Sequence, residues 1–247
     1  MVKIFVLAGQ SNMAGAAITS ELPKELKTIN NDVKIFEDGK INHVIYKDRF
    51  GPEFGFAKAL EELMPNEEIV LCKTATGGAN LFYDWNPDGV SQGEEDIYRG
   101  PLYPKLIENI EALKKHLAEE SKNWEFAGAL WMQGERDSIF EFMTDAYKKN
   151  MINFIEQLRS DVNTPDMPFV IGKIAPRKFD IIKGTFNHQY RNQVRQSQDE
   201  VAEELPYTYS VETIDLPQSD NLHFDTAGMV ELGKRFAGKI MLNAKNN

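Results

Sequence analysis

Lys3-Ile4-Phe5-Val6-Leu7-Ala8-Gly9-Gln10-Ser11-Asn12-Met13-Ala14-Gly15 is a short apolar run that breaks on a glycine into a polar loop. An apolar run of this length, bounded by a turn signal and rich in β-formers, reads as a strand buried on both faces. Such strands belong to parallel sheets covered by helices on both sides. The rest of the chain repeats the alternation. Apolar strand candidates lie at 68–74, 125–132, 169–174 and 207–211. Between them run amphipathic stretches with helical spacing at 53–64, 101–120, 138–160, 187–204 and 226–243. Residues 32–46 read as strand, Asp38-Gly39 turn and strand, a hairpin inserted before the second principal strand. Alternating strands and helices predict a three-layer α/β/α sandwich of the flavodoxin-like kind, with a mainly parallel five-stranded sheet.

Composition narrows the function. The chain has 247 residues, 28 Lys plus Arg against 38 Asp plus Glu, and a formal net charge of −10. That balance argues against nucleic-acid binding, which needs a basic face for phosphates. One cysteine, Cys72, forbids an intrachain disulfide and a zinc knuckle, and four scattered histidines make a histidine-rich metal site improbable. No apolar run is long enough for a leader or a membrane span, so the chain as given reads as cytoplasmic; a form trimmed of its leader reads the same way. The composition carries no signal of oligomeric state.

In open parallel sheets ligands bind outside the carboxyl ends of the strands, so the loops beginning near Ala8, Lys73, Met132, Ile174 and Val211 are the ones to inspect. The first holds Ser11 between Gly9 and Gly15, where small residues allow a sharp turn and close approach of a carbonyl. A structural turn or a phosphate-cradling loop, as in a flavin binder, fits the same residues. A nucleophilic serine needs a base. Of the four histidines, only His223, in Asp220-Asn221-Leu222-His223, follows a carboxylate at short range in a strand-end loop. Asp220 is placed to orient the imidazole of His223 and stabilise its charged form. Helix capping, the rival reading of this pair, is already provided by Asp225 and Thr226. Oxyanion donors are offered by the Gly77-Gly78 turn and by Gln133, a polar residue directly after an apolar run.

Together, Gly9-Gln10-Ser11-Asn12-Met13-Ala14-Gly15, Gly77-Gly78, Gln133-Gly134-Glu135-Arg136-Asp137 and Asp220-Asn221-Leu222-His223 resemble the SGNH/GDSL hydrolase superfamily. They look most like its carbohydrate acetylesterase branch, which includes sialate O-acetylesterases and carbohydrate esterase family six. The resemblance implies a serine esterase without metal or cofactor, acting on an acetylated saccharide. Ser11 is then the nucleophile, His223 the base and Asp220 its orienting partner. The N–H groups of Ser11 and Gly78 (or Gly77), with the Gln133 side chain, form the oxyanion hole. Gln10, Asn12 and Glu135 contact substrate or organise the loops. Trp85, with Phe82, Tyr83 and Tyr98 in the long loop after Gly78, is a candidate sugar platform or a packing anchor. Motifs at residues 11 and 223 that serve one site imply a single domain over 1–247. The competing readings are a lipase, thioesterase or arylesterase of the same superfamily, a non-catalytic carbohydrate-binding relative, and a flavin or phosphate binder.

Overall fold

The computed structural model describes all residues except 28, 30–32, 45–46, 92–96, 99, 177–187 and 245–247. The principal strands are β1 (Val2–Gly9), β4 (Ile69–Ala75), β5 (Trp124–Met132), β6 (Phe169–Gly172) and β7 (Thr208–Val211). Between β1 and β4 the chain forms a hairpin of β2 (Val33–Glu37) and β3 (Lys40–His43). Its turn residues Asp38 and Gly39 have φ of 50° and 75°, as a tight primed turn requires.

One seven-stranded sheet results, in the order β7-β6-β5-β1-β4-β2-β3. All neighbours run parallel except β3, which is antiparallel to β2. The five principal strands thus follow the flavodoxin-like order, and the expected count of five is corrected to seven. The reason is an edge. β4 has β1 on one side only, and the hairpin pairs its other side through Ile35↔Leu71 and Phe36↔Cys72. An unpaired row of N–H and C=O groups on a buried strand is thereby covered.

Helices cover both faces. α2 (Glu53–Leu63) and α6 (Thr226–Ala244) lie on one; α3 (Leu102–Glu119), α4 (Glu141–Asp161) and α5 (Arg191–Glu204) lie on the other. Strand alternation sorts the side chains. Phe5 packs edge-on against Phe56 of α2, while Trp131 of β5 packs against Phe154 of α4. The proposed helix at 138–160 begins instead with a 3₁₀ turn over Asp137–Ile139, and α4 starts at Glu141. Among the described residues no helix is long and apolar enough to cross a membrane.

This order puts the topological switch between β1 and β5, whose chain continuations leave in opposite directions across the sheet. The crevice beyond their carboxyl ends is where the fold expects a ligand. Gln10-Ser11 leaves β1 there, and Gln133 leaves β5 there.

Candidate active site

β1 ends in a close contact. A Cβ on Gly9 would sit 2.2 Å from the Met132 carbonyl oxygen, so only glycine lets the first loop lie against the end of β5. Gln10 N–H then donates to that same carbonyl at 2.9 Å. Ser11 opens the one-turn helix α1 (Ser11–Ala14). Beneath it lies a buried ion pair. Lys73 Nζ is 2.9 Å from Glu53 Oε1 and also donates to the Ala14 carbonyl at 3.0 Å, holding the end of the turn.

The last strand-end loop meets this turn across 212 positions of sequence. His223 Nε2 lies 3.0 Å from Ser11 Oγ, and His223 Nδ1 lies 2.9 Å from Asp220 Oδ2. Asp220 Oδ1 accepts the N–H groups of Leu222 and His223 at 2.6 and 2.7 Å, so the carboxylate and ring are set by one local turn. Burial pushes the Asp220 carboxyl upward. The hydrogen bonds from the His223 ring and from the two N–H groups outweigh it and hold the carboxyl below its ordinary value.

Asn12 joins the two loops. Fully buried, it donates through Nδ2 to Glu135 Oε1 (2.8 Å) and the Leu222 carbonyl (3.1 Å), and its Oδ1 accepts Phe224 N–H (3.2 Å). One amide therefore ties the Ser11 turn, the His223 loop and the loop after β5. Gln10 makes a similar clamp, its Oε1 accepting Arg136 N–H at 3.2 Å. Glu135 is itself buried. Burial raises its carboxyl above the ordinary value, against the lowering effect of Asn12, Arg191 and His223. Gln10, Asn12 and Glu135 are thus buried, and their hydrogen bonds join the loops of the candidate site.

The Gly77-Gly78 turn lies beside Ser11: a Cβ on Gly77 would be 3.9 Å from Ser11 Cβ. Gly78 has φ of 74° with open space around it. Among the described residues the N–H groups of Ser11, Gly77 and Gly78 donate to no protein group. Gln133 departs from expectation. Its Nε2 donates to the Ala79 carbonyl at 3.1 Å and to the Asp137 carboxylate. Both neighbours are acceptors, so the amide cannot be turned round, and both its hydrogens are engaged. Gln133 holds the glycine turn in place and does not aim a donor at an oxyanion.

Of the two readings of Trp85, its surroundings fit packing. It is fully buried, edge-on to Trp131 and Phe154 at 5.5 and 6.0 Å, so it anchors the long loop and offers no sugar platform. Trp85→Ala is expected to cost about 3–5 kcal/mol in urea unfolding. KM of the folded variant should be unchanged; a raised KM with intact stability would restore a binding role. The Tyr98 side chain and Asn187 lie outside the described residues.

Sequence reasoning missed two residues. His188 packs against the loop after β5, its Nδ1 2.6 Å from the Glu135 carbonyl and 3.3 Å from Ser138 Oγ. Burial holds its ring below the ordinary histidine value. Arg191 is buried and donates to the Asn221 carbonyl at 2.8 Å, bracing the His223 loop from α5. The signal in the chain is the surplus of polar residues on α5. Among the described residues no three His, Cys, Asp or Glu side chains are grouped to hold a metal ion.

The fold is shared with a protein of Parabacteroides merdae described as a putative GDSL-like lipase (TM-score 0.56, 12% identity, 95% of each chain covered). A family model described as carbohydrate esterase, sialic acid-specific acetylesterase, matches residues 1–242, and the chain belongs to that family. It is a carboxylic ester hydrolase. A protein of Arabidopsis thaliana described as a probable carbohydrate esterase, At4g34215, is 26% identical over 98% of this chain and 91% of its own length. Its crystal structure superposes with a TM-score of 0.76 at 25% identity, covering 98% of each chain. The fold is shared with NanS (TM-score 0.71, 16% identity, 100% and 98% covered). It is also shared with XAC1771, a carbohydrate acetylesterase from Xanthomonas citri (TM-score 0.69, 19% identity); there the match spans 99% of this chain and 57% of the other.

Proposed function

We propose that the protein is a serine esterase that removes O-acetyl groups from acetylated carbohydrates through an acetyl-enzyme. The observation that carries this reading is the line of contacts Ser11 Oγ–His223 Nε2–Asp220, at 3.0 and 2.9 Å. It stands beside a glycine turn with unengaged N–H groups, in a chain of the carbohydrate esterase family.

Ser11 Oγ attacks the acetyl carbonyl as His223 Nε2 takes its proton, and Asp220 stabilises the imidazolium. The oxygen that becomes negative is received by the N–H groups of Ser11 and Gly78. The intermediate collapses by breaking the ester C–O bond, and His223 gives its proton to the departing sugar oxygen. Water then attacks the acetyl-enzyme with His223 again as base, releasing acetate and restoring Ser11. Gln133, Asn12, Gln10 and Glu135 act in this scheme by fixing the loops that carry the reacting groups. No step calls on a metal or cofactor, and the proposed partner is the acetylated saccharide alone.

Acetate release from a panel of O-acetylated saccharides, with butyryl and longer acyl esters alongside, tests the reading. Acetyl saccharides should be favoured by about tenfold or more in kcat/KM, the order a pocket gains by rejecting extra methylenes. A preference for longer acyl chains would move the assignment to a lipase or arylesterase. Absence of Ser11 labelling by a serine-directed phosphonate would move it to a binding protein.

A further inference from the structure

Four aromatic rings gather beside the glycine turn. Phe82 and Tyr83, half-buried, come from the segment that follows Gly78; Phe140 and Phe142 come from the end of the 3₁₀ turn after β5 and the start of α4. Phe140 and Phe142 are 40% and 50% exposed, among the most exposed large apolar side chains of the molecule. Their rings lie nearly parallel, 28° apart with centroids at 5.8 Å. Phe82 stands edge-on to Phe142 at 5.1 Å and 85°, and Tyr83 edge-on to Phe82 at 4.8 Å. The result is a corner of aromatic faces open to solvent.

The corner is rigidly built. Asp137, with no exposed surface, accepts the N–H groups of Leu81 and Phe82 at 3.0 and 3.2 Å, and the Gln133 amide also donates to it. That one carboxylate joins the two loops from which the rings project and the amide that pins the Gly77-Gly78 turn. Thr144 Oγ1 donates to the Asp137 carbonyl at 2.8 Å and fixes the start of α4 to the same point. The rings are therefore preset relative to Ser11. An apolar patch exposed at Phe140 and Phe142, and anchored on the carboxylate that also holds Gln133, marks a ligand surface.

We propose that Phe82, Tyr83, Phe140 and Phe142 form a stacking subsite for a sugar ring neighbouring the one that carries the acetyl group. The inference rests on the acetylesterase reading and deepens it: the substrate is an acetylated oligosaccharide or polysaccharide, not a free acetylated monosaccharide. Phenylalanine has no polar tip, so it selects for the C–H face of a pyranose, while the sugar's hydroxyls stay in water at the ring edge. The continuity of the corner with the loops of the candidate site decides the occupant.

The test compares wild type with the double variant Phe140→Ala/Phe142→Ala on two substrates, an acetylated xylo-oligosaccharide and an acetylated methyl monoglycoside. Neither side chain belongs to the buried core, so folding should survive; a circular-dichroism melt checks it. Wild type should favour the oligosaccharide. The double variant should lose about tenfold in kcat/KM on the oligosaccharide through KM, with kcat and monoglycoside activity held within about twofold. Phe142→Trp in the single variant should keep oligosaccharide activity. Equal losses on both substrates, no loss on either, or a wild type indifferent to chain length would overturn the subsite. So would a dimer that dissociates in the double variant with kinetics unchanged, which would make the patch a self-association face. Wild type releasing acetate from neither substrate would instead overturn the acetylesterase reading itself.

Discussion

Ser11→Ala is expected to lower kcat for acetate release by about 10⁴–10⁶, leaving the residual rate supplied by the remaining donors and binding. The expectation follows from position. Ser11 Oγ is the oxygen that His223 Nε2 reaches, at 3.0 Å, and its backbone N–H is one of the unengaged donors beside it. Alanine removes the nucleophile and keeps the N–H, so substrate affinity should change little. The fold should not change either, since the side chain's recorded partner is His223 alone. Single-turnover kinetics with stopped-flow detection of acetate separate chemistry from binding. A loss under tenfold would remove Ser11 from the reaction.

Asp220→Asn should cost about 10⁴ in kcat at pH 8, for a reason particular to this turn. Asp220 Oδ1 accepts two backbone N–H groups, from Leu222 and His223. An asparagine must keep its carbonyl oxygen there, or two donors lose their acceptor. Its NH₂ then faces His223 Nδ1, which forces the imidazole proton onto Nε2 and turns the base into a donor toward Ser11. Asp220→Ala leaves the ring free to take either tautomer and should be less damaging than the amide. Nitrogen-15 shifts of His223 in the two variants read the tautomer directly. The same tautomer in both, or an alanine variant much weaker than the asparagine one, would reject this account. The Asp220 side chain is 55% exposed, so water can substitute for part of its charge in the alanine variant.

Much of this was legible in the chain. Strand ends can be located from apolar runs that stop abruptly, and the loops after β1 and β7 carry a serine and an Asp-x-x-His that an open parallel sheet brings to the same end. The place of the hairpin was not legible, because alternation in Val33–Glu37 says that a strand has a buried face but not which strand it pairs with. Trp85 sat among Gly, Asn and Asp residues that look exposed, and only packing on Trp131 and Phe154 decides otherwise. Gln133 stands out in the chain as a polar residue directly after an apolar run. Which way its amide points depends on the Ala79 carbonyl and Asp137 lying close in space, and no spacing rule states that. α5 hides its contribution for a related reason: residue type alone does not tell that Arg191, Arg195 and Gln198 are buried and reach carbonyl groups of the core loops.

The place of β1 in the middle of the sheet also governs how the protein is made. β1 leaves the ribosome first, but its two partners, β4 and β5, begin at Ile69 and Trp124. At about 5–20 residues per second, the roughly 120 residues from Gly9 to Met132 take some ~6–25 s to emerge. Until β4 emerges the strand waits with both edges open, and until β5 emerges with one, as a target for chaperones and for mispairing. His223 emerges later still, so a nascent chain carries its serine long before it carries the base that arms it.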